Sequence, residues 1–141
     1  MAKEIFVAAS YSSKVDYESG EVFPEYRDWL EEILTNLEAR NLRVFCALRA
    51  DQYKINNADP AEAYNLDKKH IKQASALLAL LDPTMSSGVQ TEIGLALGFG
   101  KDVVLAHEPD DQLSWFNQAL IRASDASEAY LPLDYDNLPF K

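Results

Sequence analysis

ALLALLDPTMSSGVQTEIGLALGFGKDVVLA, residues 76–106, decides the architecture. Residues 76–81 are aliphatic throughout and are bounded by Asp82, Pro83 and Ser86-Ser87-Gly88, which reads as a central strand buried on both faces. A helix over 89–98 follows at once, Gly98 and Gly100 stop it, and 103–106 forms the next strand. A strand, a crossover helix and a second strand in so short a span make a parallel βαβ unit.

The same alternation extends in both directions. Residues 5–9 form a short apolar strand closed by the long polar loop SYSSKVDYESG. Pro24 opens a helix in which Tyr26, Trp29, Leu30, Ile33, Leu34 and Leu37 recur at spacings of three and four, and which ends near Arg40 and Asn41. Residues 43–48 are a second strand, and the Asn- and Asp-rich stretch up to Asp59 is a loop. Asp59 and Pro60 then serve as N-cap and first residue of the next helix. Towards the C-terminus, 112–122 reads as a helix and 130–133 as a short last strand. The aromatic tail LPLDYDNLPFK is a candidate for packing across a subunit boundary.

The pattern βαβαβαβαβ predicts a flavodoxin-like, doubly wound parallel five-stranded sheet in a three-layer α/β/α arrangement, strand order 2-1-3-4-5. The whole chain, 1–141, is expected to be one domain, since 48% hydrophobic residues suffice for one core. In such a sheet ligands bind at the carboxyl ends of the strands where the order reverses, here between the first and third strands. The loops meeting there are 10–23 and 83–91, so Tyr11, Ser86 and the start of the helix after it should line one crevice.

Charge and motifs exclude several functions. Thirteen basic residues against 23 acidic ones leave a formal charge of −10, which repels a nucleic-acid polymer. The apolar run near the N-terminus is too short for a signal segment or membrane span, so a cytoplasmic protein without membrane partners is expected. Cys46 is the only cysteine and reads as an inert, buried strand residue. His70 and His107 do not sit at metal-ligand spacing, and GxGxxG, GxxxxGK[ST] and GxSxG are all missing. No metal and no cofactor is expected.

Two carboxylates stand out. Glu92 lies within about a turn and a half of a helix start, where the field of unpaired N–H groups keeps it ionised; it either complements the helix dipole or does chemistry. Asp67 shares a helix face with Tyr64, Ile71 and Ala74. It is either an edge residue or a buried carboxylate needing a partner or a raised pKa. Ser87 with Gln90 has the form of a capping box. Trp115 and Phe116 fit the core more readily than an interface.

Taken together and in order, IFVAASYSS, YNLDKKHIKQASALLALLD and SSGVQTEIGLALGFGK resemble the nucleoside 2-deoxyribosyltransferase superfamily, including its 2'-deoxynucleoside 5'-monophosphate N-glycosidases, over residues 4–125. The resemblance implies that Glu92 attacks C1' of the sugar, giving a covalent glycosyl-enzyme by retaining double displacement. It implies that Asp67 assists departure of the base and orients the sugar, and that Tyr11 positions the nucleophile. Asn117 looks like the asparagine supplied by a neighbouring subunit to the sugar, so a homodimer or larger homo-oligomer is implied. The partners would be a small deoxynucleoside or deoxynucleotide and a free base. Six residues before the nucleophile the transferases carry Asp, whereas Ser86 here resembles the monophosphate hydrolases. Ser86 with the N–H groups of Ser87 and Gly88 could hold a 5'-phosphate, with Lys14 as the sole cation of the 10–20 loop. Cleavage, exchange, and a non-catalytic nucleotide-binding module all remain open at this point.

Overall fold

The computed structural model describes residues 3–55, 59–84, 86–123 and 126–140; the middle of the Asn-rich loop, 56–58, lies outside the described residues, as do 85, 124 and 125. In chain order the elements are β1 (Lys3–Ala9), β2 (Val15–Asp16), β3 (Glu21–Val22), α1 (Pro24–Glu38), β4 (Leu42–Phe45), α2 (Ala47–Ala50), α3 (Pro60–Gln73), β5 (Ala76–Leu80), α4 (Ser87–Gly98), β6 (Asp102–His107), α5 (Trp115–Ala123) and β7 (Ser127–Tyr130). The five main strands are parallel and ordered β4-β1-β5-β6-β7. This is the predicted 2-1-3-4-5 order of a flavodoxin-like sheet.

Strand alternation sorts the core onto two faces. Ile5, Val7, Leu78, Leu80 and Val104 meet Leu30, Leu34 and Leu37 of α1 on one side. Phe6, Ala8, Leu77, Ala79, Val103 and Leu105 meet Ile71 of α3 and Ile93 of α4 on the other. All five residues of β5 are buried, because it is hydrogen-bonded to β1 and β6 and covered on both faces.

Four expectations need correction. The apolar run 43–48 divides in two: β4 stops at Phe45, and α2 begins after Cys46, lowering Leu48 into the core from a helix instead of a strand. The last strand ends at Tyr130, because Pro132 has no N–H to give a ladder, although Leu131 and Leu133 are still buried. The loop 10–23 contains the β2–β3 hairpin, with Gly20 at φ 75 in its turn. The tail packs on its own chain: Tyr135, Leu138 and Phe140 lie against the α1-side core, and Arg40 Nε donates to the Tyr135 carbonyl at 2.8 Å. No helix among the described residues is long and apolar enough to cross a membrane.

Candidate active site

The switch point between β1 and β5 is held by its two loops. Ser13 Oγ lies 3.3 Å from Thr84 Oγ1, and Lys14 Nζ lies 3.4 Å from Asp82. Beside this junction is a cavity of about 230 Å³ lined by residues from β1, the β4–α2 junction, α3 and α4. Tyr11, Asp67, Ser86, Gly88 and Glu92 all line it, as does Cys46.

Asp67 comes from α3 and Glu92 from α4, two helices packed on the same face of the sheet. Their carboxyl groups both face the cavity, close enough for each to act on the ionisation of the other. Two interacting carboxylates in a buried site cannot both ionise cheaply, so the pair retains a proton. Burial first, and then the charge of Asp67, raises the pKa of Glu92 well above the carboxylate range. Burial also raises Asp67, its hydrogen bond with Glu92 opposes that rise, and the charge of Asp51 adds to it. The expectation that the helix field keeps Glu92 ionised is therefore overturned. Glu92 is the sixth residue of α4, beyond the first turn where that field acts, and desolvation beside a second carboxylate outweighs it.

The surroundings of Asp67 also differ from the stripe expected. Ile71 and Ala74 are buried, but Tyr64 is 45% exposed, so Asp67 stands half-buried where the apolar face opens into the cavity. The helix cap falls one residue early: Ser86 Oγ accepts from Val89 N–H at 3.3 Å, and Ser87 is exposed. Tyr11 donates its hydroxyl to the Lys54 carbonyl at 3.3 Å. Asn117 is 4% exposed and accepts from Gln90 Nε2 at 2.9 Å, lining a much smaller chamber of about 10 Å³ with Ser86 and Gln90. The structure thus gathers Tyr11, Asp67, Ser86, Gly88 and Glu92, and places Asn117 behind them, outside the cavity. Trp115 and Phe116 are 76% and 65% exposed, against the expectation that they join the core.

Sequence reasoning missed the wall made by α2. Ala47, Leu48, Ala50 and Asp51 line the cavity, so Asp51 is a third carboxylate there. The signal was the three-residue spacing of Leu48 and Asp51, which only a helix places on one side. Cys46 is buried, as expected, but in the cavity wall, where burial pushes its thiol pKa up to about 11. Such a thiol is a poor nucleophile at neutral pH. The two histidines lie elsewhere: His70 stacks on Phe45 with ring centroids 3.6 Å apart, and His107 Nε2 sits 2.7 Å from Glu128. Among the described residues no cluster of His, Cys, Asp and Glu could hold a metal ion.

A doubly wound sheet with a carboxyl pair in a cavity at its switch point defines an α/β protein built to act on a small ligand. The model of the nucleoside 2-deoxyribosyltransferase family matches residues 19–127, and the chain belongs to that family. Among solved structures it is similar to a CMP N-glycosidase, BcmB, from Clostridium botulinum (19% identity, TM-score 0.67, covering 95% of this chain and 92% of that one). It is similar to BlsM (21%, TM-score 0.73, 96% and 83%). A 2-deoxyribosyltransferase from Bacillus psychrosaccharolyticus also matches (16%, TM-score 0.66, 94% and 88%). These likenesses establish the shared fold. No protein of curated function matches the chain in sequence.

Proposed function

We propose that the chain breaks or exchanges the N-glycosidic bond of a 2'-deoxynucleoside unit, working in the cytosol as a homo-oligomer. The observation that carries this reading is the Asp67–Glu92 carboxyl pair lining one cavity at the switch point. A pair holding one proton can supply a nucleophile and an acid at once.

When the proton of the pair passes from Glu92, where it rests, to Asp67, the charge is left on Glu92, and a Glu92 carboxylate oxygen bonds to C1'. The C1'–N bond breaks, its electron pair leaves with the base, and the Asp67 proton passes to that base. In the second step Asp67 takes a proton from water or from an incoming base, the new bond forms at C1', and Glu92 departs as carboxylate. Splitting one substitution into two lowers each barrier. Water gives hydrolysis and a second base gives transfer; the cavity's occupancy by a base decides between them. A CMP N-glycosidase and a 2-deoxyribosyltransferase stand among the structural neighbours, consistent with either outcome on this fold.

The test is chromatography of purified protein incubated with each deoxynucleoside and deoxynucleotide, with and without free adenine. Base release or exchange is expected in the parent. Glu92→Gln should lower it by at least about a thousandfold while ligand binding stays within about tenfold, because the nucleophile is lost at nearly constant shape. If Glu92→Gln turned over at the parent rate, the role of Glu92 would be wrong. If nothing were released from any substrate while nucleotides still bound, the chain would be a binding module.

A further inference from the structure

One wall of the cavity is α3 with Asp67, and another is the end of β4 with Phe45 and Cys46. His70 joins these two walls from outside the lining. It follows Asp67 by three positions, which on a helix sets the two side chains on one side, about a turn apart. Its ring lies flat on Phe45, with centroids 3.6 Å apart and planes 8° from parallel, and Phe45 in turn leans on Phe6 of β1 at 5.5 Å. His70 Nδ1 sits 3.5 Å from Glu4 Oε1 of β1, and the other oxygen of Glu4 lies 3.7 Å from Arg43 of β4. The His70 and Glu4 side chains are 24% and 15% exposed, so solvent screens their contact only in part. A ring stacked on one side and held by a carboxylate has little freedom left.

We propose that His70 is the positioning residue of the carboxyl pair: its ring, stacked on Phe45, sets where Asp67 stands in the cavity, and its charge, when protonated, steers the shared proton onto Glu92. This rests on the assignment of the pair as the chemical centre of the cavity. α3 packs on α4 and on β1, and the stack adds a hold on β4, the strand that ends in the cavity wall. Such a hold matters because displacing a reacting group by about 1 Å can cost about a hundredfold in rate. The charged groups around His70 are Glu4 of β1, Arg43 of β4 beyond it, and Asp67 on its own helix; Asp51 of α2 and Glu92 of α4 act in turn on Asp67. An imidazolium near Asp67 favours its ionised form, while Asp51 opposes it. The proton then stays on Glu92, and it has to leave for Asp67 before Glu92 can attack. When His70 gives up its own proton, that bias disappears and the transfer becomes easier.

Two variants separate the ring from the charge. His70→Phe keeps a ring that can stack but loses the charge and the contact with Glu4, whereas His70→Gln keeps a polar reach to Glu4 and loses the ring. Base release is measured on whichever 2'-deoxynucleoside or 5'-monophosphate the parent uses best, with kcat taken per folded molecule by circular dichroism. His70→Phe should hold kcat at or above the parental value, and His70→Gln should lower it about tenfold with KM within about twofold. Equal kcat in the two variants, or a change in KM alone, overturns the proposal. Carbon-13 titration of the carboxyl groups reads the pair without turnover and in folded protein only. In both variants the Asp67 midpoint should rise by about half a pH unit, because a positive neighbour has gone. An unmoved midpoint in both overturns the proposal while leaving the assignment of Glu92 intact. If the parent releases no base from any substrate while the midpoint moves as stated, the hold of His70 on the pair stands and the catalytic reading falls.

Discussion

Glu92 carries the consequence of sharing one proton with Asp67. Its pKa is higher in the folded chain than in the unfolded one, so its contribution to stability is complete below the ordinary glutamate range and is lost as pH rises through the raised value. Glu92→Gln removes the buried charge that has to form. In thermal melts without ligand the variant should exceed the parent by several degrees near about pH 8–9, and the gap should close near about pH 4–5. Parallel curves across that range would mean that residue 92 ionises as freely in the folded state as in the unfolded one. Glu92, Asp67 and Tyr11 were legible because each lies in a recognisable stretch. The shared proton was not, since it depends on how closely two helices bring their side chains together.

The α2 turn shows how a short element can shape a cavity from outside it. Arg49 bridges Glu31 and Glu38, and the Tyr53 hydroxyl donates to Glu31, so the wall carrying Asp51 is tied to α1. Gln52 and Tyr53 follow at φ 57 and 58, left-handed values unfavourable for side-chain-bearing residues, which this clamp holds in place. Arg49 is therefore a positioning residue. Arg49→Met should raise KM several-fold with kcat within about twofold, and lower stability by about 1 kcal/mol, in keeping with a partly exposed ion-pair network. Steady-state kinetics and denaturant melts check this; a fall in kcat at constant KM would place Arg49 in the chemistry instead. The split of 43–48 into strand and helix escaped sequence reading because both parts are apolar, and a six-residue apolar run carries no decisive period.

Several large hydrophobics stay exposed, and two of them are adjacent at the start of α5, where Trp115 and Phe116 are in edge-to-face contact with centroids 5.4 Å apart. Large exposed aromatics at a helix start are suited to being covered by another subunit. In the proposed homo-oligomer, replacing both by Ser should give a monomer by light scattering, with the circular dichroism spectrum of the parent. A parent already monomeric at tens of micromolar would remove the case for assembly through this face. Asn117 lies two residues from Trp115 and is bound to Gln90 of its own chain, so any contact with a neighbour's sugar requires that bond to exchange.

Continuous apolar runs alternating with helix-period stretches sufficed to read the parallel sheet, its strand order and the crevice between the first and third strands. Burial at each position is a local property that repeats along the chain. The partnership of Asp67 with Glu92, the wall built by α2 and the third carboxylate at Asp51 came only from packing. They depend on the distance between elements far apart in sequence and on the water excluded between them, and neither quantity is written in the order of residues.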